Sequence, residues 1–535
     1  MTNKFTNQQQ SHIQPEVDEK NDDSQIARFY QDREVFITGG TGFIGKVLLE
    51  KLLRSCPGLK RAYLLVRNKR GEEPQARLEK MFNSPMFERL KQQQPNALEK
   101  VTALPGDLTE PNLGLSAPDQ AALMDNVSVV FHSGATVRFD EPLRKAVELN
   151  VFGTRRVLNL CKRMSNFTAL VHVSTAYCNC DKSDVLEVIY PPPLGAEKVV
   201  EAIECTDKEL MDNLEKHLFG QPNTYTLTKS LAESLFLEER GDMPVAIVRP
   251  SIVTASTREP VPGWIDNYNG CTGIIVTLGL GLLPSLLAEK KCVADVIPVD
   301  LVANMLICAG WHAAVTRPKN VKVYHCTSGA LKNRTWADLA AATQRNVLRH
   351  PLPDAIRFPK FTMTNSQLWH EVNLWCMHYL PACVIDLALQ LYGQKPRFVH
   401  RYLKIRKAMD TVQFFTTHDW MFRTDNVLEL VRVLSPTDAK LFDFDVRNLA
   451  WGQYWKNYII GIRKYLFKAE DFKQDEARKR LRRLYVVRLF FQVLLFLFAW
   501  RLLRTEAVWS LYSFTNMVAR RTCETLLVLL DMLPN

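Results

Sequence analysis

The chain has 535 residues, 47% of them apolar and 23% charged, which is room for two or three globular domains. Its twelve cysteines are scattered, with no CxxC pair and no Cys/His cluster at zinc spacing; this excludes a disulfide scaffold and suits a reduced, cytosol-facing protein. The net charge of +11 sits mostly in residues 478–521, which hold ten Lys/Arg and one acid, Glu506, and no zinc-finger or RNP motif accompanies it, so no nucleic-acid partner is expected.

Residues 1–32 are polar and rich in Gln, Asn and Asp; they read as a disordered tail, not a signal peptide. Glu34–Thr38 then predicts a strand. It breaks into Gly39-Gly40-Thr41-Gly42-Phe43-Ile44-Gly45 and continues as an apolar, helix-compatible segment to Leu53. Glycines at 39, 42 and 45 let the chain turn sharply, approach a pyrophosphate and pack the helix on the strand. The helix N-terminus offers unpaired N–H groups to the phosphates. A bare glycine pattern also occurs in ordinary turns; the strand before it and the helix after it favour a dinucleotide grip.

Further strands are predicted at 61–66, 101–104, 128–132, 169–173 and 245–248, with a late one at 322–326. Helical stretches such as 146–164 and 226–239 separate them. Apolar strands alternating with helices predict an α/β fold, a Rossmann-like doubly wound parallel sheet. The second strand ends in Arg67-Asn68-Lys69-Arg70, where an NAD-specific site carries an acid. A guanidinium there suits a 2′-phosphate and favours NADP(H); the alternative is a solvated basic turn.

Tyr225 and Lys229 lie four residues apart, on one face of a predicted helix. A free phenol has a pKa near ~10, and a neighbouring ammonium is expected to lower it. The phenol can then give a proton to a carbonyl oxygen while hydride reaches the carbon. Ser174 or Thr175, at the carboxyl end of the fifth strand, could hydrogen-bond the same oxygen; the sequence leaves both open.

These pieces occur in a telling order: Thr38–Gly45, Leu65-Val66-Arg67, Gly106-Asp107-Leu108, His132–Val137, Asn150–Thr154, His172–Tyr177, Tyr225 with Lys229, Val248–Val253, Pro262–Asn267 and Val296–Asp300. Together they resemble the extended short-chain dehydrogenase/reductase family and, more narrowly, fatty acyl-CoA reductases. The resemblance runs from about Arg33 past Asp300 and resumes from Phe414 to Tyr454. It implies an NADP-binding reductase domain over 33–330, a mainly helical domain over 331–477 and a membrane-associated tail over 478–535. Gly39, Thr41, Gly42, Phe43, Ile44 and Gly45 would line the pyrophosphate of NADPH, and Arg67 would meet its 2′-phosphate. Asp107 and Leu108 would flank the adenine. Gly134 and Ala135 would lie along the cofactor, although the family pattern has Ala where this chain has Gly134. Lys229 would also bond the nicotinamide ribose, and Pro250 and Ile252 would border the nicotinamide. The implied reaction takes a long-chain acyl-CoA through an aldehyde to a fatty alcohol, releases CoA and needs no metal. Asp300 is expected to cap the helix that follows it, and His132 to be packed rather than catalytic. Rival readings are a sterol or sugar-nucleotide reductase and a non-catalytic NADP-binding protein.

Near the end, Leu489–Trp500 is apolar all round, and Leu484–Leu503 is long enough to span a bilayer with Arg488 and Arg501 near its ends. The basic run 478–483 ahead of it reads as cytoplasmic. One span, a hairpin or an interfacial helix are open, with membrane lipid as partner. The endoplasmic reticulum is the expected location and the peroxisome second; the oligomeric state is open.

Overall fold

A computed structural model describes residues 24–68, 71–191, 202–203, 220–283, 285–469, 474–503, 509–510 and 512–521. Apart from the edge strand at 101–105, which is mostly half-buried, the predicted strands are buried along nearly their whole length, as strands covered on both faces must be. They are β1 (Glu34–Thr38), β2 (Arg61–Val66), β3 (Val101–Pro105), β4 (Val127–His132), β5 (Ala169–Val173), β6 (Val245–Pro250) and β7 (Lys322–Cys326). All pairs are parallel and the seven-stranded order is β3-β2-β1-β4-β5-β6-β7. The order reverses between β1 and β4, and the crevice at that switch point is where such sheets bind ligands.

Two helices fix the sheet's ends in place. α1 (Gln25–Tyr30) lies inside the segment expected to be a tail, so the fold begins earlier than residue 33. Ile26, Ala27 and Tyr30 are buried, the Ser24 hydroxyl donates to Asp438 at 2.5 Å, and the Tyr30 hydroxyl donates to the Ile307 carbonyl at 2.9 Å. So few apolar residues do not stand out in a polar stretch, which is why composition missed them. Residues 1–23 of that expected tail lie outside the described residues. α2 (Phe43–Ser55) follows the glycine turn and packs its apolar face on the sheet.

The helix predicted over 146–164 starts at Leu143, opens into a π-turn at Glu148–Phe152 and ends at Cys161. α3 (Thr224–Glu239) carries Tyr225 and Lys229, and α4 (Val299–Thr316) crosses behind the sheet. Asp300 does not cap α4. It sits in the first turn, and its carboxylate accepts the N–H groups of Thr257, Arg258 and Glu259 at 2.9, 2.8 and 3.1 Å. An acid at the second helical position can turn outward and hold a neighbouring loop instead of its own helix.

The boundary drawn at 330 does not divide the core. Trp264 and Ile297 share one apolar cluster with Val427, Tyr454, Tyr458 and Ile462. The helix Trp451–Gly461 lies so close to the Gly263 loop that a Cβ on Gly461 would sit 1.7 Å from the Gly263 carbonyl. A continuous helix, Gln474–Leu503, runs through the boundary drawn at 477, and residues 504–508 and 522–535 of the expected tail lie outside the described residues.

Candidate active site

The glycine turn is shaped by close backbone approach. Gly39 has φ +71°, and a Cβ there would fall 2.7 Å from the Gly134 nitrogen. At Gly45 it would fall 2.3 Å from the Gly39 carbonyl, so a side chain would push α2 off the turn. Gly42 caps α2 and is exposed, with Thr41, Phe43 and Ile44 half-buried around it. Phe43 stacks on Trp264, centroids 5.4 Å apart, and Lys46 pairs with Asp266 at 2.8 Å; the Trp264 loop therefore borders the helix N-terminus. A methyl on Gly134 would meet the end of the Leu108 side chain, Cδ1 at 2.7 Å. Leu108 also packs on Gly153, and Ala135 is half-buried in the loop after β4.

His132 holds this corner together. Gly134 N–H donates to Thr38 Oγ1 (3.1 Å), which meets His132 Nδ1 (2.7 Å); His132 Nε2 meets Thr154 Oγ1 (2.9 Å), which donates to the Asn150 carbonyl (2.6 Å). One assignment satisfies every group: an imidazole carrying its proton on Nε2. Burial, with Lys229 nearby, lowers its pKa to about 3, so the ring is neutral. His132 is thus a packed histidine, as expected.

Arg67 follows β2 directly, with 59% of its side chain exposed, 4.0 Å from Asp107 Oδ2. Asp107 already accepts from Thr109 N and Oγ1, both at 3.0 Å. Lys69 and Arg70 lie outside the described residues.

The second group of residues meets at the carboxyl ends of β5 and β6. Asn223 caps α3 by accepting from Thr226 N at 2.9 Å, which starts the helix one residue ahead of Tyr225. The Tyr225 phenol lies beside the Thr175 hydroxyl and its ring stacks on Phe139, centroids 5.6 Å apart. Thr175 also donates to the Pro250 carbonyl at 3.5 Å, tying β5 to β6. Ser174 is buried, its hydroxyl has no hydrogen-bond partner among the described residues, and it lies beside the Cys178 thiol. Ile252 is half-buried on the strand segment after Pro250.

Lys229 does not do what its spacing suggested. Its ammonium donates to the Val173 carbonyl at 2.8 Å instead of polarising the phenol. Burial pushes the Tyr225 phenol up to about 12, against the pull of the Thr175 hydroxyl. The reason is geometric: on one helix face the two side chains can reach different points along the end of β5, the Val173 carbonyl and Thr175. A raised phenol stays protonated at neutral pH but is a weaker acid than a free one. Burial also lowers Lys229 to about 8, partly offset by Glu233 one turn further on.

Two elements escaped sequence reading. Arg249 in β6 is fully buried and grips Glu233 of α3 through two bonds, at 2.9 and 2.6 Å. It also donates to the Leu186 and Val188 carbonyls and meets His325 Nε2 at 3.0 Å. An Arg inside an apolar strand was the available signal, with an acid at the helical turn after Lys229 as its partner. The other is an aromatic cluster of Tyr177, Phe415, Trp420 and Phe422, joined to Tyr225 through Phe139. Its members come from segments hundreds of residues apart, so no local pattern reveals it.

Comparisons with known proteins follow the same outline. An NAD-binding family model described as "Male sterility protein" matches residues 37–306, and a second, Sterile, with the same description matches 377–469. Fatty acyl-CoA reductase 1 of Xenopus laevis is 42% identical, covering 89% of this chain and 93% of that protein. The Homo sapiens protein of the same name is 41% identical over the same shares. Among solved structures, the terminal R domain of the myxalamid PKS-NRPS pathway has a TM-score of 0.54 at 17% identity, covering 82% of this chain and 92% of that one. The reductase domain of a nonribosomal peptide synthetase from Mycobacterium tuberculosis has 0.52 at 19%, with the same coverage. These two structures bear on the fold alone.

Proposed function

The chain belongs to the fatty acyl-CoA reductase family, and on that premise we propose that it uses NADPH to reduce long-chain acyl-CoA to fatty alcohol, releasing CoA at the aldehyde stage. The observation that carries this reading is the Tyr225–Thr175 pair at the strand ends, on the same sheet edge as the glycine turn.

The site fits a dinucleotide. Gly39 and Gly45 let the turn pack backbone against backbone where a side chain would collide, and the first N–H groups of α2, which follows Gly42, would meet the pyrophosphate. Thr41, Phe43 and Ile44 complete that turn, with Leu108, Gly134 and Ala135 along its side and Asp107 at its adenine end. NADPH, when bound, supplies the hydride. The chain's own residues do the rest. Tyr225 donates its phenolic proton to the thioester oxygen, and Thr175 hydrogen-bonds the phenol and orients it. Lys229 turns from the Val173 carbonyl to the nicotinamide ribose. Ser174 is a second hydroxyl beside them, and Pro250 and Ile252 form the nicotinamide wall. The neutral thiohemiacetal would then return its hydroxyl proton to the Tyr225 phenolate as it expels CoA thiolate and leaves the aldehyde, and the regenerated phenol would serve as acid again in a second reduction that draws on a second NADPH.

Arg67 sets the choice of cofactor. Arg67→Gln is expected to raise KM for NADPH about tenfold, the loss of one charge-assisted contact, and to leave KM for NADH nearly unchanged. Initial rates with both cofactors decide it; equal effects on the two would remove Arg67 from the 2′-phosphate site.

The apolar helices are compatible with membrane association. We place the protein on the cytosolic face of the endoplasmic reticulum, held by Gln474–Leu503, whose 27-residue stretch Asp475–Arg501 is long and apolar enough to cross a bilayer. A chain ended at Ala477 is expected to leave membranes in a carbonate wash, while the full chain stays. Full retention of the shortened chain would sink the anchor.

A further inference from the structure

A second apolar surface lies outside the terminal helix. Residues 367–391 form one near-continuous helical rod: Gln367–Leu374, a π-turn at Trp375–Tyr379, then α5 (Leu380–Leu391). Leu368, Trp375, Val384, Leu387 and Leu391 are all exposed, Leu391 to 80%. From Leu380 the spacing 380, 384, 387, 391 marks one helix face. The π-turn has a cause. Pro381 has no N–H for the Met377 carbonyl, and its ring crowds that carbonyl; Arg357 donates to it instead. The π-turn takes up an extra residue, so that Leu368, Val372 and Trp375 can continue the same stripe.

The opposite face is polar and bound to the protein. Asp386 accepts the N–H groups of Arg397, Phe398 and Val399, each at 2.9 Å; Glu371 pairs with Arg406 at 2.9 Å; Ser285 meets His370 at 2.9 Å. A rod apolar on one side and tied to a soluble domain on the other lies along an interface and does not cross it. Next comes α6 (Phe398–Thr417). Residues 395–407 carry six Lys/Arg and no acid. Lys395, Arg401 and Lys404 are exposed and make no ion pair among the described residues.

We propose that this rod and the basic start of α6 form a second, in-plane docking surface for an anionic lipid bilayer. The proposal rests on the membrane reading above and extends it from an anchor to an orientation. Two observations select a bilayer as occupant. An apolar stripe beside unpaired cations matches the chemistry of an anionic lipid surface, acyl region and headgroups together. The stripe is also continuous with the terminal helix: Arg357, which holds the π-turn, adjoins Phe358, and Phe358 packs on Tyr485 (5.2 Å) with Arg488 over its ring (5.6 Å). At its other end α6 brings Phe415 against Phe139, the ring stacked on Tyr225. Docking therefore orients the catalytic end relative to the bilayer.

The test uses the full chain with a photoreactive diazirine amino acid at Leu387, or at the isolated exposed Val315 as control. Each protein is floated with vesicles of phosphatidylcholine containing phosphatidylserine and then irradiated. Lipid adducts at Leu387, absent at Val315, are expected. In the Lys395→Glu/Arg401→Glu/Lys404→Glu chain, adducts at Leu387 should fall at least fivefold, while the chain still floats through its terminal helix. Floated protein with no lipid adduct at Leu387, or with crosslinks to a second copy instead, would overturn the proposal. Equal adducts in the charge-reversed chain would overturn the anionic part. Adducts do not depend on turnover, so a chain that docks but fails to reduce acyl-CoA would count against the function and not against this surface.

Discussion

Replacing Tyr225 with Phe is expected to lower kcat for palmitoyl-CoA reduction by about 10²–10⁴-fold, the contribution of one positioned acid, with NADPH affinity nearly unchanged. The phenol proton is the group that neutralises the developing oxyanion, and the described residues offer no evident replacement at that position. Thr175 lies beside the phenol but is a far weaker acid. Lys229 is occupied with the Val173 carbonyl, and His132 is a buried, neutral imidazole. The ring itself should stay where it is, because its stacking on Phe139 does not need the hydroxyl. NADPH oxidation rates and a fluorescence titration of the cofactor separate the two effects. Full activity in Tyr225→Phe would mean the proton comes from elsewhere.

The largest stability effect is expected at Arg249. Arg249→Met leaves the Glu233 carboxylate buried without its partner, a change that costs about 3–5 kcal/mol in comparable sites. The damage should reach the catalytic helix, because Glu233 lies one turn beyond Lys229 on α3. It should also free the Leu186 and Val188 carbonyls and the His325 ring, which has only the Arg423 carbonyl left. Urea unfolding measures the loss. The double replacement Arg249→Met/Glu233→Leu should recover much of it, since two apolar side chains no longer bury an unpaired charge. A cost under about 1 kcal/mol for the single change would show that water reaches the pair.

Much of this molecule is local and was readable as such. The strands around residues 61–66, 169–173 and 322–326 announced themselves because a strand buried on both faces must be apolar along its length. The turn at Gly39 was readable because positive φ and backbone-to-backbone contact demand glycine. The helix bearing Tyr225 was readable because four residues make about one turn. Side-chain direction was not. The sequence set Lys229 beside Tyr225, but the strand ends above α3 decide that one meets the Val173 carbonyl and the other Thr175. The same holds for Ser174 and Thr175: alternation along a strand sends neighbours opposite ways, and only packing against β6 says that Thr175 is the one facing Tyr225. Asp300 is a third case, legible as a helix-start acid and yet used to hold residues 257–259.

By itself the sequence determined the α/β architecture, the place of the dinucleotide turn, the Tyr225 and Lys229 spacing and the apolar end, because each depends on residues within a few positions of one another. The tertiary structure decided the rest. It brought α1 into the core through Asp438, paired Arg249 with Glu233, gathered Phe139 and Phe415 beside Tyr225, and left the 367–391 stripe uncovered. Each of these depends on which distant segments the chain brings into contact, and no local pattern of residues encodes that.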